Sequence, residues 1–242
     1  VHDESPPGRP RIDLNADLGE GVTDDVGLLE VVTSANVACG FHAGDERVMR
    51  EVCERAAADG IAVGAQVSYA DREGFGRRRM DVETGLLTQW VAEQVEVLGR
   101  IATAAGTRVS YVKAHGALYN RIADDAEQAA AVLAGSGDLP VLGLPGSVVL
   151  GLAVAAGRDA VGEGFPDRGY TDDGRLLPRD QPGALVEEAA DVAANAVRLA
   201  ADPRLRTVCV HGDSPGAVAT AWAVRRALGG AGYDVRPRSP SS

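Results

Sequence analysis

Lys113 is the single lysine of this 242-residue chain, and it stands two residues before a histidine in Tyr111-Val112-Lys113-Ala114-His115-Gly116-Ala117-Leu118-Tyr119-Asn120. All other strongly basic side chains are arginines, so a compact, tunable ammonium is wanted at this one place. On a strand, residues two apart share a face. An ammonium beside an imidazole disfavours the charged form of either and leaves a neutral base near working pH. A competing reading has Lys113 neutralise a buried Asp13 or Asp17. Tyr119 and Asn120 are placed to hold a substrate or to orient His115. His42 and His211 also end short apolar runs near a glycine, and Asn15, Asn36 and Asn120 fall in similar segments, whereas His2 does not.

The run from Asp13 to Gly21 alternates Ile12, Leu14 and Ala16 with Asp13, Asn15 and Asp17, and Glu20 follows. Period two sends the three polar side chains to one face, which in a barrel is the interior. Carboxylates there are costly unless they bind metal, pair with a cation or act in catalysis. A half-exposed strand with a solvated polar face, or Asp17 as a helix cap, is the plainer alternative. In Asn36 to Asp45, Asp45 can cap a helix beginning at Glu46, while Gly40 and Gly44 let backbone amides approach a carboxylate or oxyanion. Cys39 reads as a small core residue rather than a nucleophile. His42 has no C-x-x-C or H-E-x-x-H companion, so a metal reading of it alone is weak.

Three further segments carry polar groups. Glu163-Gly164-Phe165-Pro166-Asp167-Arg168-Gly169-Tyr170 crowds two acids, an Arg and a Tyr into a loop, for which a surface Asp167–Arg168 or Glu163–Arg168 pair competes with a site. Ser68 to Arg79 is long, charged and without period, as functional lids are; its three adjacent arginines suit a phosphate or carboxylate, or simply solvent. In Val208 to Gly216, Ser214 and Pro215 read as N-cap and first helical residue, leaving His211 and Asp213 for the site. There is no G-x-S-x-G elbow. A G-x-x-x-x-G-K-[ST] phosphate loop is excluded, because the one lysine lies elsewhere.

What must position these groups is a series of βα units. Strands are expected over 11–15, 34–38, 62–66, 108–113, 141–143, 158–162 and 206–210, and helices over 46–58, 82–105, 123–133, 147–156, 182–201 and 215–228. Polar motifs recur after most strands. A barrel gathers all its strand C-termini at one mouth, whereas an open sheet would scatter them. The expected fold is therefore a single-domain α/β barrel spanning 1–242, with 1–10 and 237–242 loosely ordered.

Bulk properties narrow the partners. With 24 basic and 35 acidic residues the net charge is −11, which argues against nucleic acid and anionic membranes. Three cysteines form no disulfide framework and suit a reducing compartment. Val1 to Pro10 has no apolar leader core, and nothing approaches the roughly 20 apolar residues of a membrane span. A cytoplasmic protein is expected.

Taken in order, Asp13 to Gly21, Asn36 to Asp45, Asp71 to Arg78, Val112 to Asn120, Asp167 to Tyr170 and Val210 to Pro215 closely resemble the LamB/YcsF family over nearly the whole chain. The resemblance implies a (β/α)7 barrel of the glycoside hydrolase/deacetylase type. It also implies ATP-dependent opening of 5-oxoproline to glutamate, with ATP as co-substrate and with this chain as an A subunit beside separate B and C subunits. Asp17, His42, Lys113 and His115 are then expected in catalysis. Asp13, Asn15, Glu20, Asn36, Gly40, Asp45, Tyr119, Asn120, Glu163, Asp167, Arg168, Tyr170, His211 and Asp213 are expected around the substrate. Two positions depart from the family pattern. Gly64-Ala65-Gln66-Val67 stands where Gly-Ala-His-Pro is usual, which leaves a divalent metal open, and Ala114 stands where proline is usual. A metal-dependent deacetylase acting on an acylated sugar or amide, and a non-catalytic lactam-binding subunit, are the alternatives. Self-association is left open.

Overall fold

Residues 8–22, 24–213 and 216–237 are described by a computed structural model. Seven parallel strands close into a barrel: β1 (Arg11–Leu18), β2 (Ser34–Ala38), β3 (Ala62–Val67), β4 (Val109–Ala114), β5 (Val141–Gly143), β6 (Ala160–Gly164) and β7 (Leu205–Val210). Closure is made by β1, which pairs with β2 through Asp17↔Asn36 and with β7 through Asn15↔Cys209. A two-residue strand, β8 (Asp234–Val235), lies outside the ring on the start of β1, an addition that so short a segment does not announce in sequence.

The helices are α1 (Asp25–Leu29), α2 (Glu46–Asp59), α3 (Thr84–Ala104), α4 (Gly116–Arg121), α5 (Ala126–Gly135), α6 (Val148–Ala155), α7 (Ala189–Ala200) and α8 (Ala217–Gly230). Asp45 caps α2 by accepting from Val48 N at 2.9 Å, and Gly60, at φ 69°, ends it in the left-handed region. These are the ordinary start and stop signals. The short α1 and α4 escape the 3.6-residue pattern because neither is long enough to show it. The helix expected from Pro182 begins only at Ala189, since 165–188 is one long excursion braced by the bridges Arg168↔Leu185 and Tyr170↔Leu176. The expected cap Ser214 and first helical residue Pro215 lie outside the described residues, as do 1–7 and 238–242 of the termini.

The main core lies between barrel and helices. Leu14, Ala16 and Leu18 on the outer face of β1 join Val37, Val63, Val112 and Val208 against Leu87, Leu98, Val132 and Leu228. Each fully buried leucine contributes about 1.5–3 kcal/mol. One polar residue interrupts the buried stripe of α3 for a purpose: Gln94 accepts from Ser68 N at 2.9 Å and donates to Ser68 O at 3.0 Å, pinning the start of the loop after β3.

Inside the barrel the apolar content is small. Tyr111, Leu142 and Val161 form a separate plug, and the Tyr111 hydroxyl donates to Asn36 Oδ1 at 2.7 Å. The ring occupies space that Gly64 vacates: a Cβ there would sit 2.1 Å from Tyr111 Cε2. Gly64→Ala is therefore expected to destabilise the protein by about 1–3 kcal/mol through overpacking, read as a lower urea midpoint. An unchanged midpoint would mean that the ring moves aside freely.

Candidate active site at the barrel mouth

The inward face of β1 carries polar groups at three depths, because each two-residue step advances about 6.6 Å along a strand. Asp13 is deepest. It accepts from Thr33 Oγ1 at 2.7 Å, Ser34 Oγ at 2.6 Å and Thr207 Oγ1 at 2.6 Å. Three hydroxyls hold this carboxylate at the closed end, so Asp13 is structural and does not join the mouth, contrary to the sequence expectation. Asn15 and Asn36 form the middle layer. Asn15 donates to Thr207 Oγ1 at 2.6 Å, and Asn36 donates to Asn15 Oδ1 at 2.7 Å and Asp17 Oδ1 at 2.9 Å. Asn36 thus supports Asp17 from below, and Asn15 holds Asn36.

Lys113 is 2 % exposed and its ammonium lies 3.0 Å from Asp17 Oδ1, 3.0 Å from Glu163 Oε1 and 3.0 Å from Cys209 Sγ. Burial alone would discharge it, but Asp17, Cys209 and Glu163 outweigh burial and hold its pKa well above the ordinary lysine value. Asp17 is the mirror case. Burial pushes its carboxyl up, and Lys113, with His115 and His211, brings it well below the usual carboxylate range. Glu163 is raised by burial in spite of Lys113. The neutral-base arrangement of Lys113 with His115 is thus corrected: strand β4 ends at Ala114, and His115 turns away to the N-cap position of α4. The two meet only through Asp17, whose Oδ2 lies 3.9 Å from His115 Nδ1.

His115 and His42 stack with ring centroids 4.0 Å apart. Glu20, which follows β1, reaches both with Oε1, 3.5 Å from His42 Nε2 and 3.4 Å from His115 Nδ1. Gln66 Nε2 lies 2.9 Å from Glu20 Oε1 and 2.9 Å from His115 Nδ1. Burial lowers the His42 pKa, against the opposing pull of Glu20. The long loop after β3 covers this group. Phe75, the one non-glycine residue at positive φ (55°) among those described, sets its ring edge-on to both imidazoles, at 5.8 and 5.6 Å. Gly76 and Gly116 make the approach possible, since a Cβ on Gly76 would meet His42 Cβ and His115 Cδ2 at 3.0 Å and one on Gly116 would meet Gly76 O at 2.4 Å.

On the other side of the mouth, His211 Nδ1 bonds Asp167 Oδ2 at 2.8 Å, and the backbone N–H of His211 donates to the same oxygen at 3.0 Å. Burial would discharge this imidazole, but Asp167 outweighs it and raises the His211 pKa; reciprocally, burial raises Asp167 and His211 brings it down. The Phe165 ring stacks on His211 at 5.3 Å, meets Tyr119 edge-on at 5.4 Å and lies under the Lys113 ammonium at 5.1 Å. Burial and then Glu163 push the Tyr119 hydroxyl pKa up. Asp213 pairs with Arg77 from the loop after β3 and with Arg179 from the loop after β6. Between these walls lies a cavity of about 490 Å³ lined by Asp17, Lys113, His115, Tyr119, Phe165 and His211, among others.

Several expected contacts are committed elsewhere. Asp45 is exposed and serves as the α2 cap. The Gly40 amide, expected to face an oxyanion, donates to Ala43 O at 2.9 Å, and the Gly40 carbonyl accepts from Arg72 at 2.9 Å. Arg168 lines the cavity but spends its guanidinium on Ala184 O and Leu177 O, so neither acid pair expected for it forms a salt bridge. The Tyr170 hydroxyl accepts from Phe165 N at 2.6 Å. Asn120 lies on the cavity's exposed rim, with Nδ2 donating to Gly116 O at 3.3 Å. The three adjacent arginines diverge, Arg77 to Asp213 and Arg78 to Asp71 and Glu73. Cys209, Phe75, Phe165 and Arg179 belong to the mouth although sequence reasoning does not single them out. Cys209 alone has a signal, standing two residues before His211 at the end of one strand.

Comparison with known proteins places this geometry. The LamB/YcsF family profile matches residues 12–242. The chain belongs to the LamB/YcsF family. Among its relatives in that family, a Streptomyces griseus protein named as the A subunit of 5-oxoprolinase is 54 % identical over 246 residues, covering 93 % of this chain and 98 % of that protein. A Mycolicibacterium gilvum protein of the same name is 48 % identical, covering 90 % and 94 %. The crystal structure of a lactam utilization protein from Thermus thermophilus superposes with a TM-score of 0.87 at 36 % identity, covering 93 % of this chain and 99 % of that one. The catalytic domain of a peptidoglycan N-acetylglucosamine deacetylase from Eubacterium rectale superposes at 0.55 with 14 % identity, covering 100 % and 94 %, and shows that this LamB/YcsF chain shares the deacetylase-type barrel.

Proposed function

We propose that this chain is the A subunit of an ATP-dependent 5-oxoprolinase, a hydrolase that opens 5-oxo-L-proline to L-glutamate while ATP goes to ADP and phosphate. The observation that carries the reading is a single ammonium, held charged between two buried carboxylates on a cavity wall, in a chain 54 % identical to a protein of that name. A five-membered lactam resists water at neutral pH. Transfer of the γ-phosphoryl group of ATP to the lactam oxygen releases ADP and leaves an imidate phosphate. One water adds to that carbon and the carbon–nitrogen bond breaks as the nitrogen takes a proton, leaving an acyl phosphate that a second water hydrolyses to the glutamate carboxylate and free phosphate. An electrophile so activated needs only a weak base, which suits a carboxylate as firmly ionised as Asp17. Lys113 opposes the negative charge that develops on the phosphoryl and lactam oxygens. Arg77 and Arg179, gathered on Asp213, suit the carboxylate of 5-oxoproline.

Separate B and C subunits complete the enzyme in this reading, and ATP is its co-substrate. Among the described residues no helix is long and apolar enough to cross a membrane, and Cys39, Cys53 and Cys209 are buried free thiols. These fit a cytoplasmic enzyme. The test is 5-oxoproline-dependent ADP and glutamate release, assayed with this chain alone and with its candidate B and C subunits. Release from the full set, with little from the chain alone, is expected; no ADP and no glutamate from the full set would sink the proposal.

A further inference from the structure

The Glu20, His42 and His115 group contains a charge problem that the lactam chemistry does not explain. His115 Nε2 lies 3.1 Å from Phe75 O, a carbonyl that can only accept, so this nitrogen carries the hydrogen and Nδ1 presents a lone pair. The single hydroxyl hydrogen of Ser68 goes to Tyr69 O at 2.9 Å; Ser68 Oγ therefore accepts from His42 Nδ1 at 2.9 Å, and His42 Nε2 presents a lone pair. Both lone pairs face Glu20 Oε1, at 3.5 and 3.4 Å. Three acceptors thus converge in a buried space, with Glu20, His42 and His115 respectively 7 %, 1 % and 7 % exposed. Gln66 Nε2 supplies hydrogens to Glu20 and His115 only. His42 Nε2 and Gln66 Oε1 are left buried with no hydrogen-bond partner, an arrangement that costs about 1–3 kcal/mol per group.

We infer that Glu20, His42 and His115, with the amide oxygen of Gln66 as a fourth donor, form a binding site for one divalent transition-metal ion such as Zn²⁺ or Co²⁺. One ligand atom from each of the three lies within 4.8 Å of the others. Tetrahedral ligands at about 2.0–2.1 Å from an ion stand roughly 3.3–3.4 Å apart, close to the two separations to Glu20. A half-turn of the Gln66 amide exchanges its nitrogen for its oxygen and gives two nitrogens and two oxygens, a donor set for borderline divalent ions. Phe75 O and Ser68 Oγ, each holding the far nitrogen of one imidazole, are the outer partners that fix ring orientation at such sites. The donors come from four consecutive strand ends, β1 to β4, beside Asp17. The metal site does not depend on the 5-oxoprolinase reading.

The test reads binding and not turnover, so failure of either idea leaves the other standing. Full-length protein stripped with a chelator and dialysed is titrated with Co²⁺, followed by visible absorption, and with Zn²⁺, followed by calorimetry. One equivalent per chain, a tetrahedral cobalt spectrum and a raised unfolding temperature are expected. His42→Ala and Glu20→Gln should each weaken Zn²⁺ binding about a hundredfold or more, while Gln66→His should tighten it. Where a variant fails to fold, imidazole nitrogen NMR of the wild type decides: Zn²⁺ should shift His42 Nε2 and His115 Nδ1 and spare their partner nitrogens. No equivalent bound by the stripped wild type, undiminished binding in folded His42→Ala, or unshifted ring nitrogens would overturn the site.

Discussion

Replacing Lys113 with Met is expected to abolish 5-oxoproline turnover by the assembled enzyme and to cost about 3–5 kcal/mol of stability, because it strands Asp17 and Glu163 as uncompensated buried carboxylates. The two losses can be separated. Adding Glu163→Gln to Lys113→Met removes one stranded charge, so the double variant should regain much of the unfolding midpoint and none of the turnover. Recovery of activity in the double variant would reduce Lys113 to a charge balance. The pH dependence has a definite sign. The folded pKa of Lys113 is raised, so its contribution is complete below the ordinary value of 10.5 and fades as pH climbs through the folded value. That of Asp17 is lowered, so its contribution is complete above 3.8 and fades as pH falls through the folded value. In Lys113→Met, burial without the ammonium raises the Asp17 and Glu163 carboxyls, so the stability difference between wild type and variant should widen as pH rises from acid through those raised values. A difference independent of pH would count against the pair.

Asp17→Asn is expected to lower the turnover number of the assembled enzyme by about 10²–10⁴-fold, the range lost with a general base. The fold should survive, since an asparagine oxygen can accept from Asn36 and Lys113 as the carboxylate does, at 2.9 and 3.0 Å, and Glu163 still balances the ammonium. A circular dichroism spectrum like that of wild type with turnover in this range supports Asp17 as the base. Turnover within about tenfold of wild type, in a folded variant, would move the role to another acceptor in the cavity.

The residues legible from sequence are those whose type is rare or whose period is plain. One lysine among 24 basic residues marks a site without any structure, and the alternation of Asp13, Asn15 and Asp17 with apolar neighbours puts all three on one face. The recurrence of polar motifs after strand after strand implies a common mouth, and the barrel has seven parallel strands with β1 joining β2 and β7. The expected strand ends at Asn15, Gln66, Lys113 and Gly162 fall short, since β1, β3, β4 and β6 continue to Leu18, Val67, Ala114 and Gly164. Polar residues look like loop when their partners across a barrel are not known.

Depth, pairing and proton position were decided only by the tertiary structure. Sequence spacing gives a face and not a height, so Asp13 and Asp17 look alike until Thr33, Ser34 and Thr207 close around the first and Lys113 reaches the second. Nor does spacing show that Lys113 faces two carboxylates while His115 stacks on His42, since Ala114 ends the strand between them. Phe75 O and Ser68 Oγ set which imidazole nitrogens lack hydrogen, and both come from a loop with no period to read. The alternation of one chain segment determines which side chains share a face; what each meets there depends on segments far away in sequence that only closure of the barrel brings within bonding distance.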